Sequence, residues 1–128
     1  MTIASIELQK GLYTHLSSGL YEVYELVPPD TDMPYITIGN ITKANSYTKT
    51  NRRYTFSCTI HSWSRGTSSM EQKTIDEFIH ETLMVGFTAT GYEVDFVQLV
   101  MGESLREVGS DSSVFHGVQE FEITLAEQ

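Results

Sequence analysis

Any chemistry in this chain has to come from four histidines, one cysteine and scattered carboxylates, so their spacing is the first test. The histidines stand at positions 15, 61, 80 and 116. None is close in sequence to a second histidine or to Cys58, whereas metal sites built from local ligand pairs need short spacings. Each therefore reads as a structural or surface residue. His61 falls on the polar parity of an alternating segment, and His80 follows Asp76 by four on a helix flank, the spacing of a solvated pair. Cys58 alternates with Phe56 and Ile60, which makes it a small buried hydrophobe and not a nucleophile. Glu120 and Glu122 share one strand face, but the face opposite the apolar residues, so they read as a solvated edge and not an acid–base pair. No Gly-x-Ser-x-Gly elbow, P-loop or Gly-x-Gly-x-x-Gly follows any strand segment. Asn40-Ile41-Thr42 fits a glycosylation acceptor only formally, because no secretory signal accompanies it. The residue types point away from an enzyme, and neither metal nor cofactor is expected.

One basic feature stands out. Lys43, Lys49, Arg52 and Arg53 place four of the chain's eight Lys/Arg within a short polar link, with Tyr47 and Tyr54 interleaved and no acid between them. Three readings are open: a solvated hairpin tip, a contact with another subunit or partner, and a nucleic-acid contact. The net charge of −9 weighs against tight nucleic-acid binding. That charge is unevenly placed, since almost all of the acidic excess lies beyond residue 65. Glu103, Glu107 and Asp111, set against Arg106, make residues 102–113 an acidic counterpart to the basic link. Unlike patches on one chain suit head-to-tail association. Simple solubility explains the acidity equally well.

These residues must be positioned by a single domain, residues 1–128, the size of one ordinary core. A lone cysteine excludes an internal disulfide, and the N-terminus lacks the basic-then-apolar pattern of a signal peptide. No apolar run approaches a membrane span. Leu8, Leu12 and Leu16 form an i, i+4, i+8 stripe that predicts a helix over residues 5–16. Residues 20–27 read as a short strand or irregular segment, and Pro28-Pro29-Asp30 breaks the chain. Strands are predicted over 35–42, with a bulge at Gly39-Asn40, and over 53–63, joined by the basic link as a long hairpin. Trp63 has the wrong parity for the core. Either a bulge near Ser62 turns it inward, or it stands on the outer face as an interface anchor.

A capping box, Ser68 with Glu71 or Ser69 with Gln72, opens a second helix whose buried face is Ile75, Phe78, Ile79 and Leu83. Glu71, Gln72, Lys73, Asp76, Glu77 and Glu81 are assigned to its water-facing side. The parity switch within 92–101 predicts a bulge or a strand buried on both faces, 102–113 a mobile polar link, and 114–125 a last strand. The order α-(β)-β-β-α-β-β predicts an α+β fold, a mostly antiparallel sheet with both helices packed on one face.

These parts resemble the small tail-completion, or tail-terminator, proteins of long-tailed bacteriophages, including the head–tail joining proteins of phages that infect Gram-positive bacteria. The features that carry the resemblance begin with the N-terminal helix and the strand opening Pro34-Tyr35-Ile36-Thr37-Ile38-Gly39. They continue with Tyr54 to Ile60 closing on Ser62-Trp63-Ser64, the helix from Glu71 to Leu83, and the terminal strand from Phe115 to Ile123. The resemblance implies a structural virion protein, made in the host cytoplasm and located in the tail at the head–tail interface. It implies a six-fold ring of copies that stops growth of the tail tube and presents a surface to the head connector, some members staying monomeric until they meet the tube. It implies tube and connector proteins as partners, DNA passing through the lumen without sequence-specific binding, and no membrane. Charge placement adds an expectation: Lys43, Tyr47, Lys49, Arg52, Arg53 and Trp63 contact a neighbour, with Glu103, Glu107 and Asp111 on the opposing surface. The competing reading is a stand-alone α+β ligand-binding or regulatory domain with an aromatic-lined pocket between sheet and helices.

Overall fold

Alternation and helical spacing are read out in the order expected. A computed structural model describes residues 3–45, 52–109 and 111–128. The elements are α1 (Ala4–Leu16), β1 (Glu22–Tyr24), β2 (Tyr35–Asn45), β3 (Arg53–Gly66), α2 (Met70–Met84), β4 (Tyr92–Val108) and β5 (Ser113–Glu127). The strands form one sheet in the order β1-β2-β3-β5-β4, in which only β1 runs parallel to its neighbour. Both helices cover the same face: α1 lies over β1 and β2, and α2 over β3, β5 and β4.

The buried residues form one contiguous core. Leu8, Leu12 and Leu16 of α1 and Ile75, Ile79 and Leu83 of α2 meet Ile36, Ile38, Phe56, Cys58, Ile60, Phe121, Ile123 and Leu125 of the sheet. Fully burying side chains of this size contributes about 1.5–3 kcal/mol each before conformational entropy is subtracted. Phe78 is half-buried against Tyr21, and its ring fills the space where a side chain on Gly19 would stand. Cys58 lies among these residues, and burial pushes its thiol up to about 12. His15 donates from Nε2 to the Thr82 carbonyl at 2.8 Å, tying α1 to the last turns of α2.

The bulge expected at Gly39-Asn40 is present as a register shift between Ile38 and Ile41. Two shifts in β4, at Asp95 and at Val100, account for the parity switch seen there in sequence. Other expectations are corrected. Residues 102–108 are not a link, because β4 continues through Val108 along β5, and only residues 109–112 separate the two strands. Polar composition hid this continuation: the distal strand is exposed on both sides, so it carries no apolar alternation. The capping box does not form. Ser69 makes no side-chain cap, while the Met70 amide donates to Ser68 Oγ at 3.2 Å. Glu71 instead accepts from Ser64 Oγ at 2.6 Å, and Gln72 is fully buried.

Gln72 belongs to a polar node that fastens α2 to the sheet. Ser62 Oγ donates to Asp76 Oδ1 at 2.5 Å, Gln72 Nε2 donates to Asp76 Oδ2, and Gln119 Nε2 donates to the Asp76 carbonyl at 2.8 Å. Burial raises the Asp76 pKa, against hydrogen bonds that favour the charged form. Asp76 thus turns toward the sheet and not toward His80, which tilts against Phe121 instead. Gly117 leaves the room for this node, since a Cβ there would strike Ser62 Oγ, Asp76 Oδ2 and Gln72 Nε2.

Asp76→Ala leaves the buried Ser62 hydroxyl and Gln72 amide without their acceptor and should cost about 1–3 kcal/mol. Gly117→Ala, which overpacks the same spot, should cost a similar amount, about 1–3 kcal/mol. Urea unfolding of both variants checks this, and midpoints equal to that of the parent would show that the node holds nothing.

A candidate interaction surface

With both helices on one side, the other face of the sheet is open. Trp63 stands there. The β3–β5 register runs without interruption from Arg53 to Gly66, so no bulge turns Trp63 inward, and the inward positions on either side of it are Ser62 and Ser64. The outer-face alternative is the correct one. The Trp63 ring stacks on His116 with centroids 3.7 Å apart and planes at 11°, and its Nε1 donates to Thr37 Oγ1 at 3.0 Å. Tyr35 packs beside it at 6.4 Å, and Tyr24 meets Tyr35 edge-on at 5.7 Å.

His61 completes this stripe. Its ring lies 4.9 Å from that of His116, and His61 Nδ1 shares a hydrogen bond with His116 Nε2 at 2.7 Å. The expectation that no histidine lies near another held along the chain and fails in space. Antiparallel pairing sets His61 opposite Val118 and Trp63 opposite His116, so the two histidines become diagonal neighbours across β3 and β5. Gly39 gives His61 its room, because a Cβ there would sit 2.6 Å from Nε2. Burial lowers both pKa values, and the charge of His61 lowers that of His116 further. Two imidazoles joined by one proton make a neutral bridge at pH 7, not a metal set. Among the described residues no three His, Cys, Asp or Glu side chains converge on a point.

The charged contact candidates are dispersed. Tyr47 and Lys49 lie outside the described residues. Lys43 reaches over the Tyr54 ring, 5.2 Å from its centroid, on the helix side of the sheet. Arg53 points to the open side and pairs with Asp95 at 2.9 Å. Arg52 is exposed at the same end, its carbonyl accepting from the Glu127 amide at 2.9 Å. Glu103 and Glu107 are exposed on β4, and Asp111 is exposed in the turn that follows. Arg53 pairs with Ala126, whereas Val108 pairs with Ser113 and Arg65 with Val114. Arg52 and Arg53 therefore lie at the opposite end of the strands from Glu107 and Asp111, about 40 Å away at 3.3 Å per residue. Glu120 accepts from Ser57 Oγ at 2.7 Å on the open face, a structural hydrogen bond.

Sequence reasoning missed a further feature at the β1 edge. A groove of about 630 Å³ runs between α1 and β1, lined mainly by Ile6, Tyr13, Val23 and Leu26 with Lys10 and Glu25 among its polar residues. Its only signal in the sequence is apolar residues of α1 that fall off the Leu8–Leu12–Leu16 stripe. This groove opens at an edge of the sheet, not between the sheet and both helices.

The neutral histidine bridge fixes a pH dependence. The unfolded chain takes up protons near the ordinary histidine value of about 6.5, the folded pair only below it, so stability present above about 6.5 falls as pH drops through that window. Trp63 is the only tryptophan, and its emission should report protonation of the stacked His116 with a midpoint below 6.5. His116→Phe should abolish the transition. Emission that stays flat in the parent while the histidine resonances titrate would rule out the stacked bridge.

Three comparisons place this geometry among known proteins. The family model of tail completion protein gp17 matches residues 12–126. Among solved structures, a chain of the virion of a native gene transfer agent particle superposes with a TM-score of 0.77 at 15% sequence identity, over 97% of this chain and 99% of that one. That likeness is one of fold. No curated protein matches the sequence.

Proposed function

The chain belongs to the tail completion protein gp17 family, and from that membership we propose that it closes the end of a tail tube as a ring and forms the joining surface to the head connector. The family is one of structural proteins of the bacteriophage tail, so the place of this chain is the virion tail and its work is assembly with other virion proteins. Structural virion proteins are not a class of enzymes. The match over residues 12–126, nearly the whole chain, is the observation that carries the reading. Ring closure, six-fold symmetry, contact with tube and connector, and DNA passing through the lumen are the finer parts of the proposal.

The distribution of charge supports a ring whose two rims differ. One end of the strands presents Arg52 and Lys43 beside Glu93 and Glu127, and the other presents Glu103, Glu107 and Asp111 beside Arg65 and Arg106. Subunits aligned side by side repeat these ends as two unlike rims, one for the tube and one for the connector. In this arrangement Lys43, Tyr47, Lys49, Arg52 and Arg53 belong to one rim and Glu103, Glu107 and Asp111 to the other. Arg53 brings less free charge than its type suggests, because Asp95 already holds it. Trp63 stands on the open face as an anchor, with its indole nitrogen already satisfied by Thr37. Exposed ion pairs contribute about 0–1 kcal/mol each, so charge orients the ring while apolar contact supplies its affinity.

Negative-stain imaging of the protein mixed with tails that lack it tests the proposal, with density expected at one end of each tube. Lys43→Glu combined with Arg52→Glu should leave the fold intact and weaken capping about tenfold at physiological salt. Tubes left uncapped by the parent protein would overturn the reading. Normal capping by the double variant would restrict the basic link to a solvated tip.

A further inference from the structure

β4 is built unlike the other strands. From Val100 to Gly109 every residue is exposed, although the strand stays paired with β5 as far as Val108. α2 reaches only the start of this segment, where Lys73, Asp76 and Glu77 stand across from Gly102, Glu103 and Ser104, and β4 is the edge of the sheet, so beyond Ser104 it is bare on both faces and along one side. It nevertheless carries large apolar residues, with Met101 54% and Leu105 45% exposed on the open side and Val108 72% exposed beyond them. The opposite edge carries the α1–β1 groove, with Ile6 47%, Tyr13 51% and Leu26 86% exposed.

We infer that the distal β4 arm of one copy seats in the α1–β1 groove of the next copy, with Met101 and Leu105 as its apolar anchors. This inference rests on the ring reading and names the surfaces that close it. Spacing agrees: Met101 and Leu105 are about 13 Å apart along a strand, and Ile6 and Tyr13 about 10 Å apart along a helix. Charge agrees as well. Glu103 and Glu107 share the open face of the arm with Met101 and Leu105, and Lys10, 72% exposed, is the cation among the residues of the groove. The existing partner of Lys10 is Glu7 at a loose 3.6 Å, so Lys10 is free to turn toward an incoming carboxylate.

The occupant is a second copy because arm and groove lie on opposite edges of one sheet, four strand spacings or about 19 Å apart. A subunit cannot fill its own groove. Nor does one contact between two copies use up both surfaces, so association of this kind repeats until it closes on itself. The bulges at Asp95 and Val100 lie before the arm, whose pairing with β5 runs unbroken from Met101 to Val108, so it is the Glu103 and Glu107 carboxylates that discourage strand-to-strand pairing along its free edge.

The test is site-directed cross-linking on assembled tails. Native Cys58 is fully buried, so introduced thiols are the ones that react. Tyr13→Cys combined with Leu105→Cys, treated with a short bis-maleimide, should give a ladder of covalent multimers ending in a closed ring. Either substitution alone should give monomer. Ile6→Cys with Met101→Cys is the second pair, in case the first disturbs folding. Dimers from Leu105→Cys alone would mean that arms meet arms, and would overturn the inference. If both pairs stay monomeric while amine cross-linking captures multimers of the parent, the ring stands and this placement falls. If the parent gives no multimers either, the ring reading and the inference fall together.

Discussion

The sheet has five strands and two faces, and the chain carries two helices, both of which pack on one face. Most other features follow from that asymmetry. Inward positions of β3 and β5 are apolar where α1 and α2 bury them, from Phe56 to Ile60 and from Phe121 to Leu125. Toward the start of α2 they become Ser62, Ser64, Gly117 and Gln119, because a helix terminus with polar side chains lies over them. The outward positions stay threonine, serine and glutamate over much of the sheet and turn aromatic around Trp63. An antiparallel sheet tolerates one solvated face, so the monomer has no need of a second layer.

Much of this was legible in the sequence because it depends on local period. The two helical stripes, the alternation of residues 54–60 and of 121–125, the bulge at Gly39-Asn40 and the parity switch in β4 all arise from neighbours a few residues apart. The features that were not legible depend on pairing across the chain. His61 and His116 are 55 residues apart, and only the β3–β5 register joins them. Ser68, Glu71 and Gln72 carry a capping pattern, but tertiary partners compete for the same side chains. A half-buried Asp76 and a buried Ser64 hold Gln72 and Glu71 more firmly than a helix start in water would. The distal half of β4 has no burial of its own to leave a pattern, and it is a strand because β5 templates it.

The candidate site divides in the same way. Residue types excluded local metal and nucleophile chemistry and marked the basic link and the acidic segment as unlike. They did not show that Lys43 and Arg53 take opposite faces, or that Asp95 neutralises Arg53. Charge counted along a sequence overstates the charge available to a partner, since a strand sends alternate residues to opposite sides and pairs some of them internally. Along the strands the contrast is likewise smaller than the sequence count, since Glu93 and Glu127 are exposed at the Arg52 end and Arg65 at the Glu107 end.

A protein that exposes a long edge strand with Met101 and Leu105 on it risks uncontrolled pairing. The carboxylates of Glu103 and Glu107, on the same face as these apolar side chains, limit that risk. Like charges on the arm make two arms repel, whereas a groove that presents Lys10 does not. The arm is thereby discouraged from meeting its own kind and left open to an unlike surface.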